Sequence, residues 1–215
     1  MATVAVIDYG MGNLRSVAKA LEHVSPKTQV TVTSEPEKIA SADRIVFPGQ
    51  GAMGNAMQEL HRLGLHEVIL RHIHEKPFLG ICLGLQALLE YSEEDGGTNG
   101  LGIFAGKVLK FSDPLMDEDT GQRLKVPHMG WNQVHQAGDH PLWKNISQDS
   151  RFYFVHSYYV QPSEKETIAA STRYGVEFTS AASHDNIFAV QFHPEKSQHA
   201  GLKLLENFIG WDGQC

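Results

Sequence analysis

The chain has 215 residues, 41% hydrophobic and 20% charged, with a net charge of −7 at pH 7. That length suits one well-buried domain, taken as residues 1–215, and the acidic balance argues against a nucleic-acid or anionic-membrane surface. No apolar stretch reaches the ~18 residues of a membrane span, the start MATVAVIDYG is not a signal peptide, and Cys82 and Cys215 are too few for a disulfide framework, so a cytoplasmic location is expected.

In chain order, TVAVID (3–8) is a short β-branched run that predicts a strand. Leu14, Val17, Ala18 and Leu21 then fall at helical spacing, with Asn13 as N-cap of a helix to Val24. TQVTVT (28–33) reads as a strand, a short helix follows Pro36, and RIVF (44–47) is a third strand. Helical spacing returns around 53–60 and 65–73; PFLGIC (77–82) is a fourth strand, and Leu85, Leu88 and Leu89 mark a helix after it. The second half changes to strand-like runs, GIFAGKVLKF, FYFVHSYYV, TIAASTRYG, VEFTSAAS and IFAVQFHPE, before a last helix over 201–211. The acidic stretch DPLMDEDTGQ (113–122) reads as a solvated loop. Alternating strands and helices followed by strands predict an α/β fold: an open, mostly parallel sheet flanked by helices, with an antiparallel extension.

Three glycines in FPGQGAMG (47–54), Gly49, Gly51 and Gly54, spell the dinucleotide-binding fingerprint. That motif needs an acidic residue about 20 positions on, at the end of the next strand, to hold ribose hydroxyls. Here the following residues look helical as far as Pro77 and the next strand ends in Cys82, so the fingerprint fails in context. These glycines then either form a turn alone or present N–H groups to a different anion.

LGICLGLQ (79–86) offers that anion a source. Gly80, Cys82 and Gly84 make G-x-C-x-G between a strand and a helix, the cysteine form of a nucleophile elbow. The flanking glycines permit a sharp turn, and the helix N-terminus beneath the sulfur favours negative charge there. A buried structural cysteine with chance glycines is the plainer alternative. A nucleophilic thiol also needs a base and a group to orient it. VQFHPEKS (190–197) provides His193 at a strand end and Glu195 two residues later. Of the twelve histidines, His61, His66, His72 and His74 lie on helical segments and read as solvated. No metal-ligand spacing occurs, so neither a metal nor a cofactor is expected.

Elbow, glycine loop and His-Pro-Glu together resemble the class I, triad-type glutamine amidotransferases. DYGMGNLRSV (8–17), PGQG (48–51), GICLGLQ (80–86), PHMGWN (127–132), FVHSYY (154–159) and FHPEKS (192–197) carry the resemblance across essentially the whole chain. Within that family they are similar to the glutaminase subunits that work beside a (β/α)₈-barrel cyclase. The resemblance implies a flavodoxin-like fold and a catalytic Cys82, His193 and Glu195. It implies oxyanion donors at Gly51 and Leu83, and glutamine contacts from Gln86, Glu94, Ser157 and Tyr158. It places Asn13, Arg15, Trp131, Asn132 and Lys196 at the interface with the cyclase, as a heterodimer. Read from its residues alone, Glu94 is equally a solvated carboxylate and Trp131 a packed core aromatic. A γ-glutamyl hydrolase without a partner, an amidotransferase for another acceptor, and a non-catalytic scaffold are the competing readings.

Overall fold

A computed structural model describes residues 2–214; Cys215 lies outside the described residues. The first half builds β1 (Thr3–Ile7), α1 (Leu14–Val24), β2 (Gln29–Thr33), α2 (Pro36–Ser41), β3 (Arg44–Gly49), α3 (Met53–Arg62), α4 (Leu65–His72), β4 (Phe78–Cys82) and α5 (Leu83–Ala87). Then follow β5 (Leu89–Ser92), β6 (Thr98–Asn99), β7 (Phe104–Lys110), β8 (Leu115–Met116), β9 (Arg123–Leu124), β10 (His128–Gln133) and β11 (His135–Gln136). The chain continues through β12 (Arg151–His156), β13 (Tyr158–Pro162), β14 (Ile168–Tyr174), β15 (Val176–His184), β16 (Ile187–Val190) and α6 (Gln198–Gly210).

The large sheet runs β2-β1-β3-β4-β16-β15-β13-β7-β5-β6. Its first five strands are mutually parallel, and from β16 to β7 the neighbours are antiparallel. Apart from the edge strand β2, the parallel strands are apolar at nearly every position because both faces are covered. In β1, Val4 and Val6 join the core under α1 and α6, whereas Ala5 and Ile7 join the core under α3 and α4. The same period-2 division places Val46 on the first side and Ile45 and Phe47 on the second. Asn13 caps α1 as its sequence suggests, its Oδ1 accepting from the Ser16 N–H at 3.4 Å.

Three segments depart from the expectations. The helix after Cys82 stops at Ala87, and Leu89 belongs to β5 instead. The carbonyls that another helical turn would use are taken by a returning segment: Leu101 N–H donates to Ala87 O at 2.8 Å, and Ile103 and Phe104 N–H both donate to Leu88 O at 2.9 Å. Gly100 permits that approach, since a Cβ there would lie 2.1 Å from Leu89 O. The acidic stretch 113–122 is partly ordered as the β8–β9 hairpin, with Leu115 buried in the core. Asp113 pairs with Arg123 at 2.8 Å, and Glu118 with Arg173 at 2.9 Å. Finally, the PHMGWN segment forms β10, which pairs only with β12 as a separate two-stranded ribbon that brings His128 opposite His156.

Candidate active site

Parallel α/β sheets gather functional groups at the carboxyl ends of their strands, and the site follows that rule. β3 ends at Gly49, which is in register with Cys82 at the end of β4. On the other side of β4, Val190 of β16 is opposite Ile81, so Gln191 and His193 emerge beside the cysteine.

Cys82 has φ 55° and ψ −109°, a strained conformation for a residue with a Cβ, and it is the residue preceding α5. Its glycine neighbours are required by packing. A Cβ on Gly84 would sit 1.9 Å from Phe47 O, and one on Gly80 would sit 2.9 Å from the Ala189 Cβ. The elbow therefore holds α5 tightly against β3 and fixes the sulfur at the strand end. The Gln191 amide donates to Cys82 Sγ at 3.7 Å.

His193 is held by its backbone. Its N–H donates to Tyr153 O at 2.9 Å, and its own carbonyl accepts from the Ser197 hydroxyl at 2.6 Å. The same hydroxyl accepts from Tyr153 N–H at 2.9 Å, which ties the His-Pro-Glu turn to β12. His193 Nδ1 is 2.9 Å from Glu195 Oε1, with both side chains buried. This carboxylate fixes the ring with Nδ1–H donating, leaving Nε2 for the sulfur. Nε2 is buried, and the group it meets is the Cys82 sulfur.

Burial by itself would push the His193 imidazole down. The charge of Cys82 and hydrogen bonding to it, followed by Glu195, outweigh burial and raise the imidazole to about 10. That value favours the imidazolium at pH 7, beside the Cys82 sulfur. The stabilisation tied to that elevated value is fully present below the unfolded imidazole's ~6.5 and fades as pH rises through the folded value. Following the His193 ring carbon by NMR titration should show a midpoint well above 6.5, and Cys82→Ala should lower it. A midpoint that ignores Cys82 would deny the influence of the sulfur.

In front of the sulfur lies a cavity of about 370 Å³ lined by Gln50, Gly51, Cys82, Leu83, Gln86 and Glu94 on one side. Ser157, Tyr158 and Lys196 complete the sequence-derived part of the lining. The residues expected as nucleophile, oxyanion donors and glutamine contacts thus line one cavity. Gly51 has φ 101°, a conformation that favours glycine. Glu94 is half-buried and accepts from Met53 N–H at 2.7 Å, at the start of α3. Burial raises its pKa, and the Met53 bond opposes that rise. It is not simply a solvated carboxylate.

Asn13 and Arg15 are exposed at the start of α1, while Trp131, 39% exposed, stands on β10 rather than in the core. Met129, 63% exposed, shares that strand with Trp131 and Asn132. Sequence reasoning missed Gln191, although it lies inside the VQFHPEKS segment; only register reveals that it meets the sulfur. Tyr9, within DYGMGNLRSV, is fully buried, and its hydroxyl lies against Gly49 with no hydrogen-bond partner among the described residues. Burial, then the Cys82 charge, raise the pKa of that phenol. Among the described residues no cluster of His, Cys, Asp or Glu is arranged to hold a metal, and no helix is long and apolar enough to cross a membrane.

A family model described as glutamine amidotransferase class-I matches residues 5–211. The chain is 58% identical over 211 residues to the imidazole glycerol phosphate synthase subunit HisH of Nitrosospira multiformis, covering 98% of this chain and 99% of that protein. It is 59% identical over 211 residues to the protein of the same name from Aromatoleum aromaticum, again covering 98% and 99%. Among solved structures it is similar to PurLQS from Thermotoga maritima, with a TM-score of 0.73 at 16% identity over 97% of this chain and 98% of that one. At that identity the likeness speaks for the fold alone.

Proposed function

The chain belongs to the class-I glutamine amidotransferase family, and from that membership we propose that it is the glutaminase subunit of an imidazole glycerol phosphate synthase, acting in histidine biosynthesis. The observation that carries this reading at the level of chemistry is the buried His193–Glu195 pair, 2.9 Å apart, behind a strained Cys82. In this reading the Cys82 thiolate attacks the side-chain amide carbon of glutamine. The resulting oxyanion is met by the N–H groups of Gly51 and Leu83; losing one such donor typically costs about 10²–10³ in rate. His193 gives its proton to the departing ammonia, leaving a glutamyl thioester. Water then attacks that thioester, with His193 taking the proton, and glutamate and the free thiol result. Gln86, Glu94, Ser157 and Tyr158 hold the substrate, and the cavity is wide enough for it.

Ammonia released here passes to a (β/α)₈-barrel cyclase. That partner uses it to convert a phosphoribulosyl aminoimidazole substrate into imidazole glycerol phosphate and an aminoimidazole carboxamide ribotide. The docking face comprises Asn13, Arg15, Trp131, Asn132 and Lys196. An exposed Trp and an Arg on it suit an interface, where both are over-represented among the residues that dominate affinity. The chain acts as one domain over 1–215, in the cytoplasm, with no cofactor.

A glutaminase active without its partner would waste glutamine, and PGQG supplies a place for a switch, because glycines let a peptide plane rotate at low steric cost. A bistable element responds only to differential contacts in its two states. Steady-state glutaminase kinetics of the subunit alone, of the complex, and of the complex with a cyclase-site ligand should therefore show rising kcat with little change in KM. Gly51→Ala, which keeps the N–H but penalises the positive φ that the loop adopts, should blunt that rise more than it weakens glutamine binding. Equal kcat in all three states would remove the switch, and full activity without any partner would favour a free-standing γ-glutamyl hydrolase.

A further inference from the structure

The β10–β12 ribbon contains a buried histidine pair that the chemistry above does not use. His128 Nδ1 lies 2.9 Å from His156 Nε2, and the two residues are direct cross-strand partners. His156 Nδ1 lies 2.8 Å from the Tyr158 carbonyl oxygen, and the Asn132 amide nitrogen lies 3.3 Å from His128 Nε2.

Every proton in this chain has one permitted place. A carbonyl only accepts, so His156 Nδ1 carries hydrogen and donates to Tyr158 O. Burial pushes His156 down to about 3 against the opposing hydrogen bond to the Tyr158 carbonyl, with the His128 and His193 charges adding a little, and pushes His128 down to about 4. Both rings are therefore neutral at pH 7, and His156 Nε2 is bare. It must accept from His128 Nδ1–H, which leaves His128 Nε2 bare to accept from the Asn132 amide. The second hydrogen of that amide goes to Arg173 O at 2.9 Å.

The rings are held in place as firmly as the protons. His128 is stacked on Tyr174 and on Phe154, with centroids 3.9 and 4.9 Å away and interplanar angles of 20° and 22°. Beyond the pair the bonding continues to the nucleophile. The Gln86 amide donates to the same Tyr158 carbonyl at 3.0 Å and to Gln191 Oε1 at 3.1 Å, and the Gln191 amide donates to Cys82 Sγ. Asn132, at one end, shares β10 with the exposed Met129 and Trp131; Cys82 is at the other end.

We propose that His128 and His156 are positioning residues: a neutral hydrogen-bond relay, one-directional as far as the Tyr158 carbonyl, that couples the partner-docking strand β10 to that carbonyl and, through Gln86 and Gln191, to the Cys82 sulfur. The coupling role rests on the glutaminase reading above. A partner that shifts Asn132 moves a chain in which no group can change its bonding alone, since each donor has a single acceptor geometry to satisfy. The stacked rings transmit that displacement instead of absorbing it.

Two measurements test the relay. Side-chain ¹⁵N NMR of the wild-type chain at pH 7 should find both rings as Nδ1–H tautomers. An Nε2–H signal or an imidazolium at either ring overturns the proposal, and this measurement needs no partner. The second is kinetic, in the complex with the barrel cyclase. His128→Phe keeps an aromatic ring against Phe154 and Tyr174 but leaves His156 Nε2 and the Asn132 amide without their partner. The ratio of partner-stimulated to unstimulated glutaminase kcat should fall about tenfold, with glutamine KM and partner affinity changed less than about twofold. His128→Asn, which puts an amide donor near the place of Nδ1, should recover most of that ratio. A ratio unchanged in His128→Phe, or a fall in stimulated and unstimulated turnover by the same factor, overturns the relay. Absence of stimulation in the wild-type complex would instead remove the functional reading, leaving the tautomer result to stand or fall separately.

Discussion

Replacing Cys82 by alanine is expected to reduce glutamine hydrolysis by at least about 10⁴-fold while the fold and partner binding persist. Apart from His193, the sulfur's side-chain partner is the Gln191 amide at a long 3.7 Å, so its removal leaves little unsatisfied. The strained backbone would remain, because alanine has a Cβ at the same φ of 55°. Cys82→Gly separates the two consequences. It should be equally inactive, yet more stable by about 1 kcal/mol, because glycine occupies this region without the steric cost. In a chain of this length that is roughly 2–4 °C in Tm. Ammonia supplied directly at high pH should still support the cyclase reaction in the Cys82→Ala complex, since only its enzymatic source is lost. Substantial glutaminase activity in either variant would remove Cys82 from the mechanism, and an unchanged or lower Tm for Cys82→Gly would deny that the elbow stores strain.

How far the site could be read in advance depended on how local its determinants are. The elbow is legible because its constraints lie within five residues: Gly80 and Gly84 are demanded by contacts with neighbouring strands, and both occur beside the nucleophile in sequence. His193 and Glu195 are two residues apart and meet across one short turn. The parallel half of the sheet is legible for a similar reason, since strands buried on both faces are apolar runs. The end of α5 was not, because Leu85, Leu88 and Leu89 keep helical spacing. What ends the helix is a distant competitor for its carbonyls, the segment around Leu101–Phe104. Gln191 and the His128–His156 pair escaped for the same reason. A glutamine beside a sulfur and two histidines across a ribbon are products of strand register, which no local pattern specifies. The rejected dinucleotide fingerprint is the converse case, a local pattern whose glycines serve a different geometry: Gly49 admits the Tyr9 hydroxyl, and Gly51 adopts a positive φ.

Exchanging His193 for asparagine should cost about 10⁴-fold in turnover, because in the proposed mechanism His193 carries the proton from the sulfur's side to the leaving amine. Stability complicates the experiment. Glu195 is buried, its Oε1 accepts from His193, and its Oε2 has no partner among the described residues. Removing the imidazole therefore strands a carboxylate in the interior, a loss that typically destabilises by about 3–5 kcal/mol. A purely structural role for His193 would predict that relieving this charge restores activity. His193→Asn combined with Glu195→Gln makes that distinction: the double variant should regain much of the lost stability and none of the lost turnover. Glu195→Gln alone should be the milder change, by about a hundredfold in kcat, because the amide oxygen can still accept from Nδ1–H and orient the ring. Its cost would be the weaker support of the imidazolium, together with an amide hydrogen that finds no acceptor where Oε2 stood. Glutaminase kcat and thermal melting of the two single variants and the double variant decide the matter. If the Glu195 change proved the more damaging to turnover, or the double variant recovered activity with its stability, the assignment of His193 as proton carrier and Glu195 as its orienting group would be wrong.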